Sequence, residues 1–231
     1  MIFITGDTHG DWDGRMKNLL TTLSQMHSDI TLMIAGDFGF LFHDNAEEQL
    51  HLDIMEQSGI TVCFCDGNHE NFDALNRLPI SFWNGGRVHF LQPHIIHLMR
   101  GEHFLIDGRH FFVMGGAGSV DKDYRLLMER NGGEKCWWPE ELPDNEEYKH
   151  AGETLIKMHY QTDYILTHTA PTEIIRRMNF MPNLDDIELT GFLEWIFYEV
   201  HFQHWFFGHF HEDRELDCNC TCLMNRLIRL E

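Results

Sequence analysis

TVCFCDGNHE, residues 61–70, runs from β-branched and apolar side chains straight into glycine, amide, imidazole and carboxylate. The apolar part, Thr61–Cys65, is too short for a stable helix and rich in strand-forming residues, so it reads as a buried strand. Cys63 and Cys65 within it read as small buried hydrophobes. The polar part reads as a turn leading into a helix at Asn71–Leu78. With 19 Gly, 12 Asn, 17 His and 19 Glu in 231 residues, Gly-Asn-His-Glu is expected about 0.006 times by chance. Such a tetrad, set where a strand stops, marks a site.

The same arrangement recurs outward from it. Asp7 and His9 follow MIFITG, Asp37 follows LMIAG, His168 follows YILT, and His209 and His211 follow WFFG. Taken singly, Asp-x-His and His-x-His are each expected about 1.3 times and carry no weight. Their shared position carries the argument. Further strands are expected at Met1–Thr5, Thr31–Ala35, Val88–Leu91, Phe104–Ile106, His110–Met114, Tyr164–Thr167 and His204–Phe207. Helices are expected at Arg15–Met26, Ala46–Gln57, Asn145–Tyr160 and Asp185–Val200. This alternation is that of βαβ units, in which the carboxyl ends of the strands open onto one crevice. Seven potential ligands, Asp7, His9, Asp37, Asn68, His168, His209 and His211, would meet there.

At 231 residues, with no linker or repeat, the chain suits a single domain, 1–231. Pro79–Gly116 reads as a run of antiparallel strands within it, and residues 116–144 as a long connection or small cap. Hydrophobic residues at 43% and charged residues at 23% exclude a disordered or fibrous chain. Apolar runs fall far short of the roughly 20 residues that span a bilayer, which excludes an integral membrane protein of helical type. The opening MIFITGD has no basic or long apolar leader, so a cytoplasmic location is the expectation. Seventeen basic against 37 acidic residues give a net charge of −20, which disfavours non-specific binding to nucleic acid. Six cysteines in that compartment read as reduced thiols. Cys218-x-Cys220-x-Cys222 fits an alternating terminal strand better than a metal tract.

Gly6-Asp7-x-His9-Gly10, Gly36-Asp37, Gly67-Asn68-His69-Glu70, Thr167-His168 and Gly208-His209-x-His211, in this order, resemble the calcineurin-like metallophosphoesterases. The resemblance covers nearly the whole chain. It implies an α/β fold, a four-layer α/β/β/α sandwich of two mixed sheets flanked by helices, with the first half supplying one sheet and the second half its partner. It also implies a two-metal centre: Asp7, His9 and His211 on one cation, Asn68, His168 and His209 on the other, and Asp37 bridging. The donor set suits Mn²⁺ ahead of Fe, Zn²⁺ or Ni²⁺. A cation pair about 3.5–4 Å apart would share a hydroxide that attacks phosphorus in line. His69 is then the expected general acid toward the leaving oxygen, and Glu70 an orienting group.

Departures from the family bear on the substrate. Phosphoprotein phosphatases follow the second motif with Asp-Arg-Gly, whereas Asp37 precedes Phe38-Gly39-Phe40-Leu41-Phe42. Gly115–Arg125 and Trp137–Glu141 are similar to a bacterial and phage branch. The expected substrate is a small or nucleotide-like phosphomonoester or diester. Lys122 and Arg125 are candidates to meet its phosphate, and Trp137 and Trp138 to stack a base. The rivals are a nuclease, which the net charge disfavours, a phosphoprotein phosphatase, and a catalytically silent binding scaffold, which the full ligand set disfavours. Cys220-x₅-Arg226 has the spacing of a cysteine-phosphatase loop but not its small residues.

Overall fold

The computed structural model describes residues 1–26 and 29–230. Among them the chain lays down strands β1 (Ile2–Thr5), β2 (Thr31–Ile34), β3 (Thr61–Phe64), β4 (Ile80–Trp83), β5 (Gly86–Gln92) and β6 (Ile95–Leu98). There follow β7 (Glu102–Ile106), β8 (Arg109–Met114), β9 (Tyr164–Thr167), β10 (His204–Phe207), β11 (Arg214–Leu216), β12 (Cys220–Cys222) and β13 (Ile228–Arg229). They form a seven-stranded sheet of order β13-β1-β2-β3-β6-β5-β4 and a six-stranded sheet of order β11-β12-β10-β9-β8-β7. The centre of each is parallel: β1 with β2 and β2 with β3, then β8 with β9 and β9 with β10. The expected division into halves holds up to β6, but β13 crosses back to pair with β1. The antiparallel run expected over Pro79–Gly116 is present and split, its first three strands joining one sheet and its last two the other.

The helices are α1 (Lys17–Ser24), α2 (Ala46–Gln57), α3 (Phe72–Leu75), α4 (Lys122–Arg130), α5 (Asn145–Lys157), α6 (Thr172–Arg177) and α7 (Ile187–Glu199). Three apolar layers make the sandwich. In one, Phe3, Leu32, Ile34, Val62 and Phe64 meet Leu20, Leu23, Leu52 and Met55 of α1 and α2. In the middle layer, Ile2, Ile4, Met33 and Cys63 face Phe104, Phe111, Val113, Leu166 and Phe206 of the second sheet. In the third, Phe112, Ile165, Trp205 and Phe207 meet Leu155, Ile175, Leu193 and Ile196. Side chains alternate across a strand, so strands buried on both faces must be apolar at every position. That is why TVCF and its counterparts are legible as strands. All six cysteines are free thiols, and Cys220 and Cys222 lie buried on β12. No described helix is long and apolar enough to cross a membrane.

A polar network couples the first sheet to the loop after β3. His89 and His97 face each other across β5 and β6 with their Nδ1 atoms 3.2 Å apart. His97 Nε2 lies 3.1 Å from Asp66 Oδ1, and Arg100 Nε donates to Asp66 Oδ2 at 2.8 Å. The other Arg100 nitrogens reach Glu147 and the carbonyls of Glu140 and Glu141. Burial works against the Asp66 charge, but Arg100 and His97 overcome it and hold the carboxyl well below its ordinary range. Arg100→Ala would strand that carboxylate and should cost about 3–5 kcal/mol of unfolding free energy. Denaturant melts showing less than about 1 kcal/mol would mean that the pair is not what satisfies Asp66.

Burial, reinforced by His97, lowers His89 to about 4, against about 6.5 for a histidine in an unfolded chain. As pH falls the unfolded chain takes up that proton first, so stability is lost between about pH 6.5 and 4. His89→Gln should flatten this stretch of the stability–pH curve. An unaltered slope would remove His89 as its source.

Candidate metal centre

β1, β2, β3, β9 and β10 end at one edge of the sandwich, and each delivers a polar side chain one to four residues after its last position. Two features of the backbone make the delivery possible. His9, Asp37, His209 and His211 all hold left-handed φ values, 49°, 49°, 68° and 52°. Such residues cost of order 1–3 kcal/mol each and persist only where the surroundings over-determine them. The second feature is close approach. Gly36, at φ 85°, lies against the His168 ring, and Gly208 against the Asp7 carboxylate, so that a Cβ at either would overlap its neighbour. The glycines spelled before Asp37 and His209 are therefore packing requirements.

All eight expected side chains meet. Asp7, His9 and His211 have ligating atoms within 4.8 Å of one another, and so do His9, Asp37 and His69. His9 Nε2 and His211 Nε2 are 3.0 Å apart. Asn68 Oδ1 lies 3.2 Å from His168 Nε2 and 3.0 Å from His209 Nδ1. Asp37 stands between the two sets: Oδ1 is 3.2 Å from His168 Nε2 and accepts the His69 backbone N–H at 2.8 Å. Its Oδ2 is buried with no hydrogen bond, at 3.7 Å from His9 Nε2. A carboxylate oxygen taken out of water without a donor demands another source of positive charge.

Proton positions favour cation ligation at His9 and His209, whereas His168, without a cation, keeps its proton beside Asp37. His168 Nδ1–H donates to the Ala35 carbonyl at 2.8 Å, which turns Nε2 toward Asn68 and Asp37. Burial alone would lower His168, but Asp37 beside it overrides and pushes it up to about 10. Asp37 is reciprocally held well below the ordinary range by His168, against the effect of burial. Burial raises Asp7 to about 6, lowers His9 to about 4 and lowers His209 to about 3. At neutral pH the last two are neutral imidazoles with lone pairs to give.

Supporting groups surround the cluster. Both Asp7 carboxylate oxygens accept the His209 N–H at 3.0 Å. Glu70, 1% exposed, accepts the N–H of Phe38 at 2.8 Å and of Gly39 at 3.4 Å, tying the loop after β3 to the loop after β2. Arg15 is buried, and its guanidinium donates to the carbonyls of Gly6, Asp7 and Met224. Nothing in the local sequence marks Arg15 or Arg100, because each binds backbone or carboxylates distant along the chain.

The cap residues divide. Arg125, on α4, is 6% exposed and sits at the cluster: Nη2 is 2.7 Å from His69 Nε2, Nη1 donates to the Asn68 carbonyl at 3.0 Å, and Nε to Asp121 at 2.7 Å. Lys122 Nζ pairs with Asp185 at 3.1 Å and lies 4.8 Å over the Trp137 ring, while Trp137 Nε1 donates to Glu141. Trp138 is 2% exposed, donates to Asp73 and packs on Phe42 and Lys135. It has no open face for a ligand. Cys220 sits in a strand, and burial raises its thiol above the ordinary range, the opposite of what a nucleophile needs.

Gly36→Ala should destabilise the protein by about 1–3 kcal/mol, since it adds a side chain at positive φ and displaces His168. Unfolding curves and a metal titration that both match the wild type would show that the approach is not tight.

A family model described as calcineurin-like phosphoesterase matches residues 1–213. No curated protein matches the chain significantly. The family match spans more than nine-tenths of the chain and every member of the cluster from Asp7 to His211, so this chain belongs to the calcineurin-like phosphoesterases, a family of hydrolases.

Proposed function

We propose that the protein hydrolyses a small or nucleotide-like phosphomonoester or diester at a two-metal centre. One cation is assigned to Asp7, His9 and His211, the other to Asn68, His168 and His209, with Asp37 serving both. The observation that carries this is Asp37 Oδ2, buried and without a hydrogen bond beside His9, while Oδ1 faces His168. The donors fit the ions: imidazoles, carboxylates and one amide oxygen suit Mn²⁺, then Fe, Zn²⁺ or Ni²⁺. Bound there, the cations would supply positive charge to phosphoryl oxygens and lower the pKa of a water.

The chain's own groups do the rest. His69 lies edge-on to His9, with ring centroids 4.7 Å apart, and is assigned as proton donor to the leaving oxygen. Its Nε2 accepts from Arg125 in this state, so donation requires the guanidinium to take another acceptor. A phosphoryl oxygen is the natural exchange partner, since charge-assisted pairs of this kind are the strong ones. Arg125 is thus assigned to the phosphate. Glu70 orients the loops carrying Asp37 and His69 and takes no part in proton transfer.

Full retention of the donors supports an enzyme over a silent scaffold. Three apolar layers shared by two sheets support one domain, with residues 116–144 as its cap. The Gly115–Arg125 and Trp137–Glu141 stretches support the bacterial and phage branch, and six free thiols a cytoplasmic setting.

Turnover of an aryl phosphate with added Mn²⁺, abolished by chelation, is the expected result. Asp37→Asn should lower the content of both metals by elemental analysis; one site left full with activity intact would refute the bridge. His69→Ala should keep both metals yet slow an alkyl ester roughly 10²–10⁴-fold. The loss should shrink on a nitrophenyl ester, whose leaving group departs as an anion. Equal losses on both would remove the proton-donor assignment.

A further inference from the structure

Against His9 and His69 lies a cavity of about 380 Å³, also walled by Phe42, His43, Asn45 and His51. Small-molecule sites run about 300–1,000 Å³. Larger cavities, of about 450, 470 and 580 Å³, are lined by none of the clustered side chains. An ester oxygen that takes its proton from His69 must trail its alcohol into adjoining space, and this cavity is that space.

Its walls are fixed before any ligand arrives. Glu48, buried at the start of α2, accepts the N–H of His43 at 2.9 Å and of Asp44 at 2.7 Å. Asn45 Oδ1 caps α2 by accepting from Glu47 and Glu48, which leaves its amide N–H groups as donors for a ligand. His51 stacks on Trp12 with centroids 4.6 Å apart and planes 11° from parallel, and Phe40 meets it edge-on at 6.0 Å. The result is a cavity lined by two held rings, His51 and Phe42, and by the Asn45 amide. Flat rings favour a base over a polyol, because every base offers a π-face for stacking.

Charge narrows the choice further. Glu47 lies on the wall with its carboxylate exposed, and Glu134 reaches His43 at 3.5 Å. Those carboxylates repel a leaving group that carries a second phosphate.

We infer that this cavity holds an uncharged nucleoside as the leaving group, which makes nucleoside monophosphates the substrate class. The inference rests on the phosphoesterase reading above. Hydrolysis would break the P–O bond to the nucleoside and add water across it, releasing the nucleoside and inorganic phosphate. The nucleoside oxygen takes its proton from His69, and a proton from the water restores it.

The test uses the Mn²⁺-loaded protein and three esters: adenosine 5′-monophosphate, glycerol 3-phosphate and adenosine 3′,5′-bisphosphate. Adenosine monophosphate should exceed each of the other two in kcat/KM by at least about tenfold. Phe42→Ala and His51→Ala should each cut the ratio to glycerol phosphate roughly tenfold, through KM. Glu47→Lys should raise the bisphosphate relative to the monophosphate. Equal wild-type rates on the adenosine and glycerol esters, or ratios that none of these variants moves, would overturn the inference. Adenosine binding, followed by calorimetry, separates it from the parent reading. Binding lost in His51→Ala without turnover of any ester would keep the pocket and remove the phosphoesterase; turnover without adenosine binding would do the reverse.

Discussion

A carboxylate moved out of water loses several kcal/mol of hydration unless nearby charge or donors replace it, and Asp37 is 1% exposed with one oxygen undonated. The His69 N–H, after β3, gives one donor from its own sheet, and the charge that compensates it comes from the other sheet. Asp37 follows β2 in the first sheet, whereas His168, its charge partner, follows β9 in the second. The Asp7 carboxylate makes the same crossing, from β1 to the backbone of His209 after β10. The cluster is therefore a seam between two sheets whose middle is packed with apolar side chains, and which the Arg87–Glu102 pair also joins, from β5 to β7. Their relative position is set at the edge by charge and through the middle by packing.

That seam is made at a cost in local conformation. Four of its residues are left-handed without being glycine, and glycines such as Gly36, Gly67 and Gly208 stand where a methyl group would collide. Strain of this kind survives because Glu70 and Arg15 hold the loops from outside, binding backbone atoms and not ligands. Stability has been given up at the edge of the sandwich so that lone pairs point inward. The deep apolar layers make this tolerable.

Much of this was legible beforehand. Strands buried on both faces are apolar throughout, so β1, β2, β3, β9 and β10 stand out, and the residues after them name the cluster. Tyr164–Thr167, His204–Phe207 and Ala46–Gln57 begin and end where expected. Other elements hid for physical reasons. Ile95–Leu98 carries His97, whose partner Asp66 is remote in sequence, and Ile228–Arg229 is two residues long. α4 leaves Tyr124, Leu127 and Met128 exposed, so its apolar spacing does not report a buried face. Arg125 could be named as a candidate, but its contact with His69 depends on where the cap folds back. The sequence offers Trp137 and Trp138 as surfaces for a base; packing and Asp73 seal Trp138, while nothing in the sequence marks Phe42 and His51, in a loop and on a helix.

The order of the cluster along the chain has a consequence for biosynthesis. Its members begin at Asp7 and end at His211, and β1 is flanked on one side by β13, made from residues 228 and 229. A nascent chain emerging at about 5–20 residues per second exposes Asp7 early and leaves its site incomplete until His209 and His211 have been made. Until then the edge of β1 is open, and the carboxylates of Asp7 and Asp37 lack His209 and His211 even after His168 has been made. A ribosome stalled before His211 therefore leaves a chain with neither a closed sheet edge nor a finished cluster, the kind of product that cellular quality control recognises.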